Sequence, residues 1–407
     1  MEITVKEIQE TMDWLSAISD DAGPGTTRLL YSPSWLRAQR EIKARLEALG
    51  MDCRFDAIGN LYGVLPGTVT PEKTIATGSH VDTVIKGGKL DGQLGIFGGY
   101  LAVKHLLQTY GRPRKSIELI SMAEEEGSRF PYVFWGSKNI FGLAKREEVE
   151  ALKDANGVGF VAAMRECGFD FSTEYRERTD IEAFIELHIE QGNFLEQEGF
   201  TVGVVNSIAG QKRYNLILKG EANHAGTTLM RYRKDTVECM SRIIVHCLDK
   251  AKAAGDPLVL TFGKVLPKPN TVNVVPGETL FTMDCRHTDA RFLQEFTAVL
   301  EADMQSIADS MGIALAIDNW MNEQPVAMDK RVVDSIERVC KQNQIHYRLM
   351  HSGAGHDSQI FAPRVPTGMI FVPSIKGISH NPAEDTNLTD LREGIRTLAH
   401  VLQELAY

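Results

Sequence analysis

A glycine-rich loop in the first quarter of the chain places one histidine and two aspartates between a strand and a helix. The segment before the loop, residues 73–79 (KTIATGS), alternates like a strand, and residues 93–108 carry apolar side chains at helical spacing. His80, Asp82 and Asp91 therefore follow a strand end and precede a helix start, where sites form in open α/β sheets. The arrangement predicts an α/β fold with a functional site at that strand end.

These three side chains are of the types that hold a metal ion. His80 offers a neutral nitrogen, and the carboxylate of Asp91 is able to bridge two ions. Asp82 is placed to accept a hydrogen bond from the other ring nitrogen of His80, as supporting carboxylates do for metal-bound imidazoles. The short H-x-D pattern is equally consistent with a surface loop, so the rest of the chain has to decide.

Two further strand ends carry residues of the same kinds. Glu125 and Glu126 end a run of three glutamates after a predicted strand at 116–123, and His188 ends an alternating segment at 181–190. One of two adjacent carboxylates can bind metal while the other acts as a free base. Taken alone, each pattern also fits a solvated strand end or an ordinary core histidine, but their recurrence favours a metal centre.

Composition narrows the class of protein. The 407 residues carry a net charge of −10, with 43% hydrophobic and 24% charged residues, which is ordinary for a globular chain of about two domains. The acidic balance argues against nucleic acid as a partner. No apolar run approaches the ~20 residues of a membrane helix. The six cysteines are scattered along the sequence, which favours reduced thiols over a disulfide framework. We therefore expect a cytoplasmic protein without a membrane partner.

The pattern of elements changes between residues 205 and 322. Strand-like and helix-like segments there follow the order β–α–β–β–α–β, which is a known self-contained α+β unit. An α/β pattern resumes after residue 327, so the small domain is predicted to be inserted into the larger one. The expected bounds are 1–209 and 327–407 for the catalytic domain and 210–326 for the insert. Polar groups in the insert also fit ordinary turns and surface ion pairs.

Motifs along the whole chain resemble one family. In order they are G-S-H-V-D-T, L-D-G-Q-L-G, A-E-E-E-G-S-R-F, E-L-H-I-E-Q-G, N-H-A-G, N-V-V-P-G with D-C-R-H, S-G-A-G-H-D and I-S-H-N-P. They resemble the dinuclear-metal amidohydrolases of the M20 peptidase-like superfamily, in the branch of N-carbamoyl-L-amino-acid hydrolases, β-ureidopropionases and allantoate amidohydrolases. The resemblance implies a mixed-sheet catalytic domain of the α/β class with an inserted α+β lid and dimerisation domain.

The resemblance also implies a role for each residue that matches a family motif. One ion would be held by His80, Asp91 and His188, and a second by Asp91, Glu126 and His380. Glu125 would be the general base that moves a proton from a bridging water to the leaving nitrogen, and Asp82 would support His80. The implied substrate residues are Gln191, Gln211, His224, Asn273, Arg286, Ser352, Gly353 and Ala354. Of these, His224 and Asn273 would polarise the ureido carbonyl, and Arg286 would bind the substrate carboxylate.

The implied reaction is hydrolysis of a ureido C–N bond, with allantoate as the expected substrate in purine nitrogen catabolism. The implied cofactors are two divalent ions, with Mn²⁺ expected first and Zn²⁺, Co²⁺ or Ni²⁺ as alternatives. The resemblance also implies a homodimer formed through residues 210–326. Gly92 follows Asp91 where related exopeptidases often carry a second carboxylate, which favours ureido over peptide substrates. An N-carbamoyl amino acid is the alternative substrate, and a non-catalytic binding protein of the same fold is a distant alternative.

Overall fold

The computed structural model describes residues 3–172, 175 and 177–407. The chain divides into two compact units, one formed by Met1–Asn206 with Ala327–Tyr407 and the other by Ser207–Val326. We call them the α/β unit and the small unit. No helix in the described part of the chain is long and apolar enough to cross a membrane.

The strands are β1 (Asp52–Phe55), β2 (Leu61–Leu65), β3 (Thr70–His80), β4 (Lys115–Met122), β5 (Ile181–Ile189), β6 (Val202–Ile208), β7 (Gly210–Lys219), β8 (Asn223–His224), β9 (Val259–Lys268), β10 (Val274–Val275), β11 (Glu278–His287), β12 (Ala314–Glu323), β13 (Val326–Ala327), β14 (Tyr347–Ser352) and β15 (Thr367–Val372). The helices are α1 (Val5–Ser16), α2 (Pro33–Ala48), α3 (Gln93–Tyr110), α4 (Trp135–Ile140), α5 (Arg146–Val149), α6 (Phe160–Glu166), α7 (Phe194–Glu198), α8 (Thr236–Ala254), α9 (Ala290–Ser310), α10 (Lys330–Gln342), α11 (Ser358–Phe361) and α12 (Leu388–Ala406).

A mixed sheet forms the centre of the α/β unit. Its strand order is β1-β2-β4-β3-β5-β15-β6-β13, with β14 paired to β6. The four middle strands β4, β3, β5 and β15 run parallel, and antiparallel partners flank them on both sides. The register sets His80 opposite Met122 and His188 opposite Phe371. The carboxyl ends of these neighbouring strands therefore meet at one edge of the sheet.

Packing against the sheet fixes the helix that follows the glycine-rich loop. Every residue of β15, and all but the first of β4, is buried, as parallel strands covered on both faces require. Helix α3 lies close to the sheet because glycines face it: a Cβ at Gly95 would lie 2.5 Å from the Cβ of Ser79, and one at Gly98 would lie 2.8 Å from a methyl group of Leu187. This close approach holds the start of α3 beside the ends of β3 and β5.

One helix start differs from the sequence-based expectation. The sequence pattern predicts a helix over 34–49 with Ser34 as its cap, but α2 begins at Pro33, and the side chain of Ser32 accepts the hydrogen bond from the backbone N–H of Trp35. Proline suits the first helical position because its missing N–H would be unpaired there in any residue. Ser34 instead donates to a carboxylate oxygen of Asp20 at 2.8 Å.

The small unit has a four-stranded antiparallel sheet in the order β12-β7-β11-β9. Helices α8 and α9 cover one face, where Leu216 of β7, Phe281 of β11 and Met304 of α9 share a buried core. Along β11, buried and partly exposed residues alternate, so the partly exposed Asp284 and Arg286 lie on the face away from these helices. The short strands β8 and β10 form a separate ladder.

Candidate metal centre

The parallel strands bring the predicted ligands to one edge of the α/β unit. His80 ends β3, Glu126 follows β4, and His188 lies one residue before the end of β5. Asp91 enters from the loop before α3, where Gly92 has a φ of 67° and a Cβ would lie 2.4 Å from the ring of His80. Only glycine fits at that position, and its absent side chain lets the imidazole pack directly on the backbone.

Asp91 lies at the centre of the cluster and is 5% exposed. Its Oδ1 lies 3.6 Å from Nε2 of His80 and 3.2 Å from Nε2 of His188. Its Oδ2 lies 3.1 Å from Nε2 of His380, which is also 3.4 Å from Oε1 of Glu126. The two oxygens of one carboxylate thus face two separate groups of ligand atoms, as they would in a carboxylate that bridges two ions.

The tautomers of two histidines leave lone pairs aimed at Asp91. Nδ1 of His188 lies 2.9 Å from the carbonyl oxygen of Ile189, and Nδ1 of His80 lies 3.1 Å from Oδ1 of Asp82. Because both contacts are acceptors, each Nδ1 carries the proton in a neutral ring, and Nε2 is left without one. Two acceptor nitrogens would then face an acceptor carboxylate, so the arrangement needs either a second proton on each ring or a cation between the groups.

The spacing of these atoms fits a shared cation. Two ligand atoms each about 2.1 Å from one ion in a tetrahedral site lie about 3.4 Å apart, and the contacts to Asp91 span 3.1–3.6 Å. Three groups of side chains bring their ligand atoms within 4.8 Å of one another: His80 with Asp91 and His188, His80 with Glu125 and Glu126, and Asp91 with Glu126 and His380. The donor set of imidazoles and carboxylates suits Zn²⁺, Mn²⁺ and related divalent ions.

The charges at the centre also favour a cation. Burial raises the pKa of Glu125 well above its usual value, and the charge of Glu126 raises it further against an opposing effect of His80. Burial likewise raises the pKa of Glu126. Burial acts to raise the pKa of Asp91, but its close contacts with His188, His380 and His80 hold that pKa well below its usual value. A bound cation would allow all these carboxylates to remain charged together.

Asp82 ties the first histidine to the glutamates. While its Oδ1 faces Nδ1 of His80, the backbone N–H groups of Glu125 and Glu126 donate to its carboxylate at 3.0 and 3.3 Å. The side chain of Glu124 points elsewhere and accepts hydrogen bonds from the backbone N–H groups of Trp135 and Gly127. Of the three adjacent glutamates, the first therefore shapes the loop, and the other two face the cluster.

Gln191 contacts the bridging carboxylate. Its Nε2 donates to Oδ2 of Asp91 at 3.0 Å and to Oγ of Ser379 at 3.3 Å. Its Oε1 is buried and has no hydrogen-bond partner among the residues that the structure describes. With both amide protons directed at these neighbours, the oxygen is the part of the side chain left to meet a ligand.

The predicted substrate loop at 352–354 lies at the end of β14. Ser352 is buried, its Oγ lies 2.9 Å from Nε2 of His356, and it accepts a hydrogen bond from the backbone N–H of Ala354 at 3.1 Å. The ring of His356 packs edge-on against that of His188, with centroids 4.5 Å apart. Gly353 is the exposed residue at the tip of this turn.

The remaining predicted substrate residues lie in the small unit, in two groups. Strands β8 and β10 bring the first pair together: Val274 is opposite His224, and the backbone N–H of Ala225 donates to the carbonyl oxygen of Asn273 at 3.0 Å. Both predicted side chains are exposed. Nδ1 of His224 accepts from the backbone N–H of Gly226 at 3.1 Å, so Nε2 carries the proton in a neutral ring.

The second group lies on the sheet face away from α8 and α9. Arg286 of β11 is opposite Gln211 of β7. Within the described part of the chain, the Oε1 of Gln211 is buried without a hydrogen-bond partner. Both oxygens of Asp284 accept from Arg286, at 2.9 Å from Nε and 3.1 Å from Nη2. Arg213 also donates to Asp284, at 2.8 Å. The contact between Arg286 and Asp284 is the ion pair that the sequence pattern left open as an alternative for polar groups of the insert.

Two supporting residues near the metal centre were also absent from the sequence-based assignment. Glu384 accepts from the backbone N–H groups of Leu90 and Asp91, and Ser379 contacts a carboxylate oxygen of Asp91 at 3.2 Å. Both lie within six residues of His380, but their partners are nearly 300 residues away in the chain. Proximity to a predicted ligand was the one indication available.

Comparison with known proteins gives the family. Residues 76–404 match Peptidase family M20/M25/M40. The chain belongs to this family. The superfamily expected from the motifs is therefore confirmed, and the observed mixed sheets confirm the expected α/β fold class.

Relatives of high identity cover the chain almost completely. The chain is 58% identical to an allantoate amidohydrolase of Escherichia coli (strain K12), with 98% of each chain covered. It is 44% identical to an allantoate amidohydrolase of Bacillus subtilis (strain 168), with 98% of this chain and 97% of the relative covered. An N-carbamoyl-L-amino-acid amidohydrolase of Paenarthrobacter aurescens is 36% identical, with the same two coverages.

A solved structure of an amidase of the hydantoinase/carbamoylase family from Burkholderia multivorans is similar throughout. Its TM-score is 0.94 at 30% identity, and the match covers 100% of this chain and 98% of that one. The branch expected from the motifs is thus represented among both the relatives and the solved structures.

Proposed function

We propose that the protein is a two-metal amidohydrolase that converts allantoate and water to ureidoglycine, ammonia and carbon dioxide. One observation carries the proposed chemistry: the two oxygens of the buried Asp91 carboxylate face different histidines, at 3.2 Å from His188 and 3.1 Å from His380. The choice of substrate is supported by the identities of 58% and 44% to two allantoate amidohydrolases, against 36% to a carbamoyl-amino-acid enzyme.

The ligands proposed for one ion are His80, Asp91 and His188, and those for the second are Asp91, Glu126 and His380. When bound, such ions lower the pKa of water and polarise the carbonyl of the resonance-stabilised ureido group. We favour Mn²⁺, with Zn²⁺, Co²⁺ or Ni²⁺ as alternatives, because the donor set accepts all four.

Glu125 is the proposed general base. It is partly buried, adjoins a proposed ligand, and makes no ion pair of its own among the described contacts, so its carboxylate is available to take a proton. It would accept a proton from the attacking water and deliver it to the leaving nitrogen, which then departs as an amine. The hydrogen bonds from the backbone of Glu125 and Glu126 to Asp82 fix the loop that carries it.

The orphaned oxygen of Gln191 supports a ureido ligand. Because its Nε2 donates to Asp91 and Ser379, its Oε1 can only accept, and a ureido N–H is a donor of the required kind. A buried acceptor without a partner costs free energy until a ligand satisfies it. The turn at Ser352, Gly353 and Ala354 is proposed to offer further backbone contacts.

The small unit is proposed to supply the other substrate contacts. The protonated Nε2 of His224 and the amide of Asn273 would donate to the ureido oxygen as negative charge develops on it. Arg286 would bind the substrate carboxylate through its planar guanidinium group, with Gln211 beside it. We also propose that residues 210–326 form a lid and a homodimer interface. A cytoplasmic location agrees with the six free cysteines.

The direct test is ammonia release from allantoate by metal-stripped protein, before and after addition of Mn²⁺ or Zn²⁺. Parallel reactions contain N-carbamoyl-L-amino acids at equal concentration, and light scattering gives the oligomeric state of the same sample. We expect metal-dependent release from allantoate in preference to the carbamoyl amino acids. Faster release from the carbamoyl amino acids would support the proposed metal-dependent chemistry but show that allantoate is not the preferred substrate. Absence of turnover on both, with ions bound, would contradict the proposed activity.

A further inference from the structure

Glu384 connects the loop that carries Asp91 to the loop that carries His380. Its Oε1 accepts from the backbone N–H groups of Leu90 at 2.9 Å and Asp91 at 3.1 Å. Its Oε2 accepts from the hydroxyl of Ser379 at 3.0 Å. The carboxylate is 2% exposed, and its approach requires glycine at position 88, because a Cβ there would lie 2.0 Å from Oε1.

The direction of each hydrogen bond follows from counting protons. Oγ of Ser379 lies 3.0 Å from Glu384 and 3.2 Å from Oδ2 of Asp91, but a hydroxyl has one proton to donate. Oγ also accepts a hydrogen bond from Nε2 of Gln191. Oδ2 of Asp91 has two lone pairs, and Nε2 of Gln191 donates to it at 3.0 Å, so a cation that takes the other lone pair leaves the serine proton to Glu384. With both of its oxygens acting as acceptors, Glu384 keeps the hydroxyl turned away from Asp91.

The second group of ligands depends on this connection more than the first. His80 and His188 are 2% and 1% exposed and are held by surrounding packing. The side chain of His380 is 49% exposed, and its backbone has a left-handed φ of 54°. Since burial does not fix His380, its position relative to Asp91 depends on the hydrogen bonds of its neighbour Ser379.

We infer that Glu384 and Ser379 are positioning residues for the second divalent cation, at the site of Asp91, Glu126 and His380. This inference rests on the two-metal site of the proposed function. Glu384 sets the backbone of Asp91 against the loop of His380, and the hydroxyl of Ser379 leaves Oδ2 of Asp91 available to the ion. The first ion, at His80 and His188, depends little on either residue.

Two substitutions separate this role from general support of the fold. In Glu384→Gln, the amide oxygen can still accept from Leu90 and Asp91, but the amide nitrogen faces Ser379 as a donor. The serine hydroxyl must then donate to Oδ2 of Asp91, where it competes with the ion. In Ser379→Ala, the hydroxyl is absent, and one oxygen of Glu384 loses its donor. Loss of such supporting contacts costs about 10–100-fold in metal affinity.

A matched control exists on the same two loops. Nζ of Lys89 lies 3.1 Å from Oδ1 of Asp385, and the two side chains are 33% and 48% exposed. This ion pair also joins the two loops, but in contact with solvent, where such pairs contribute little. We therefore expect Lys89→Met to bind both ions as the native protein does.

The experiment titrates the metal-free native protein and the three variants with Co²⁺, and follows the visible absorption of the bound ion and its stoichiometry. In both Glu384→Gln and Ser379→Ala we expect the second Co²⁺ to bind about 10–100-fold more weakly. The affinity for the first Co²⁺ and the unfolding temperature of the metal-free protein should remain those of the native protein.

Native affinity for both ions in these variants would overturn the inference. It would also be overturned if both affinities fell together with the unfolding temperature of the metal-free protein, because the residues would then act through the fold. If the native protein binds two Co²⁺ but releases no ammonia from allantoate, the proposed substrate is wrong, and the inference about Glu384 and Ser379 is still decided by the metal titrations. Native protein that binds fewer than two ions would refute the two-metal site, and this inference with it.

Discussion

Asp91 in the α/β unit and His224 in the small unit illustrate two ways of holding a polar side chain. Asp91 is buried, receives a hydrogen bond from Gln191, and faces three imidazoles. His224 is exposed on a strand of two residues, and its ring accepts one hydrogen bond, from the backbone of Gly226. The first is fixed by the fold before any ligand arrives, and the second is proposed to gain its partners from a ligand.

This difference follows from what each side chain is proposed to do. A divalent ion needs several ligands at spacings set to a few tenths of an ångström, so their positions must be determined by buried strands and supporting hydrogen bonds. A donor to an organic substrate can instead order on binding, at some cost in entropy. We therefore expect substitutions in the α/β unit to change metal content, and substitutions in the small unit to change kinetics at constant metal content.

The largest effect is expected for Asp91→Asn. An amide cannot bridge two cations through two charged oxygens, so both ions should bind weakly, and turnover should fall to that of metal-stripped protein. Metal content per chain after gel filtration, measured by mass spectrometry, checks this. His380→Ala is the comparison, because it removes a ligand of the second ion alone and should leave one ion bound. Two ions retained in Asp91→Asn would contradict the bridging role.

Next in size is Glu125→Gln, which keeps the shape of the side chain but removes its capacity to take a proton. Turnover of allantoate should fall by about 10²–10⁴-fold, the usual contribution of a general base. Metal content should remain that of the native protein, which distinguishes this residue from the adjacent Glu126. Glu126→Gln is therefore the matched control and should lose the second ion. Full activity in Glu125→Gln would remove the residue from the proposed mechanism.

The arrangement of the strands explains which parts of the site could be predicted from the sequence. The ends of parallel strands meet at one edge of a sheet, so local patterns at His80, Glu126 and His188 sufficed to predict that these side chains would lie together. Apolar spacing predicts helices over 93–108 and about 387–405, and the structure has them at Gln93–Tyr110 and Leu388–Ala406, within two residues at every end.

Contacts between distant segments could not be predicted in this way. The partner of Glu384 on the metal loop is 293 residues away, and neither periodicity nor motif spacing identifies such a pair. Strands β6 and β14 were not predicted, because apolar and polar residues do not alternate regularly along them. Helical spacing of apolar residues predicts a helix over 232–253, but helix α8 begins at Thr236, because Asp235 caps it and Met230–Tyr232 forms a separate 3₁₀ turn.

In the small unit, the largest effect is expected for His224→Ala. Removing a donor to the developing oxyanion should lower kcat by about 10²–10³-fold, while metal content and the binding of the substrate carboxylate remain as in the native protein. Steady-state kinetics with metal analysis of the same sample checks both. His246→Ala offers a control on the same unit, because that histidine pairs with Asp303 on the helices. A loss of ions in His224→Ala would show that the two regions are not separate in function.

The smallest of these effects is expected for Arg286→Ala, which should raise KM for allantoate more than it lowers kcat. Removing charged hydrogen bonds to a carboxylate costs about 1.5–3 kcal/mol, or roughly 10–150-fold in affinity. Asp284→Asn tests whether the arginine is preorganised: it keeps Arg286 but weakens the two contacts that orient the guanidinium group. If KM in Asp284→Asn lies between the values for the native protein and Arg286→Ala, part of the affinity for the substrate carboxylate comes from contacts that orient Arg286 before the substrate binds. A native KM in Asp284→Asn would show that the substrate alone orients Arg286.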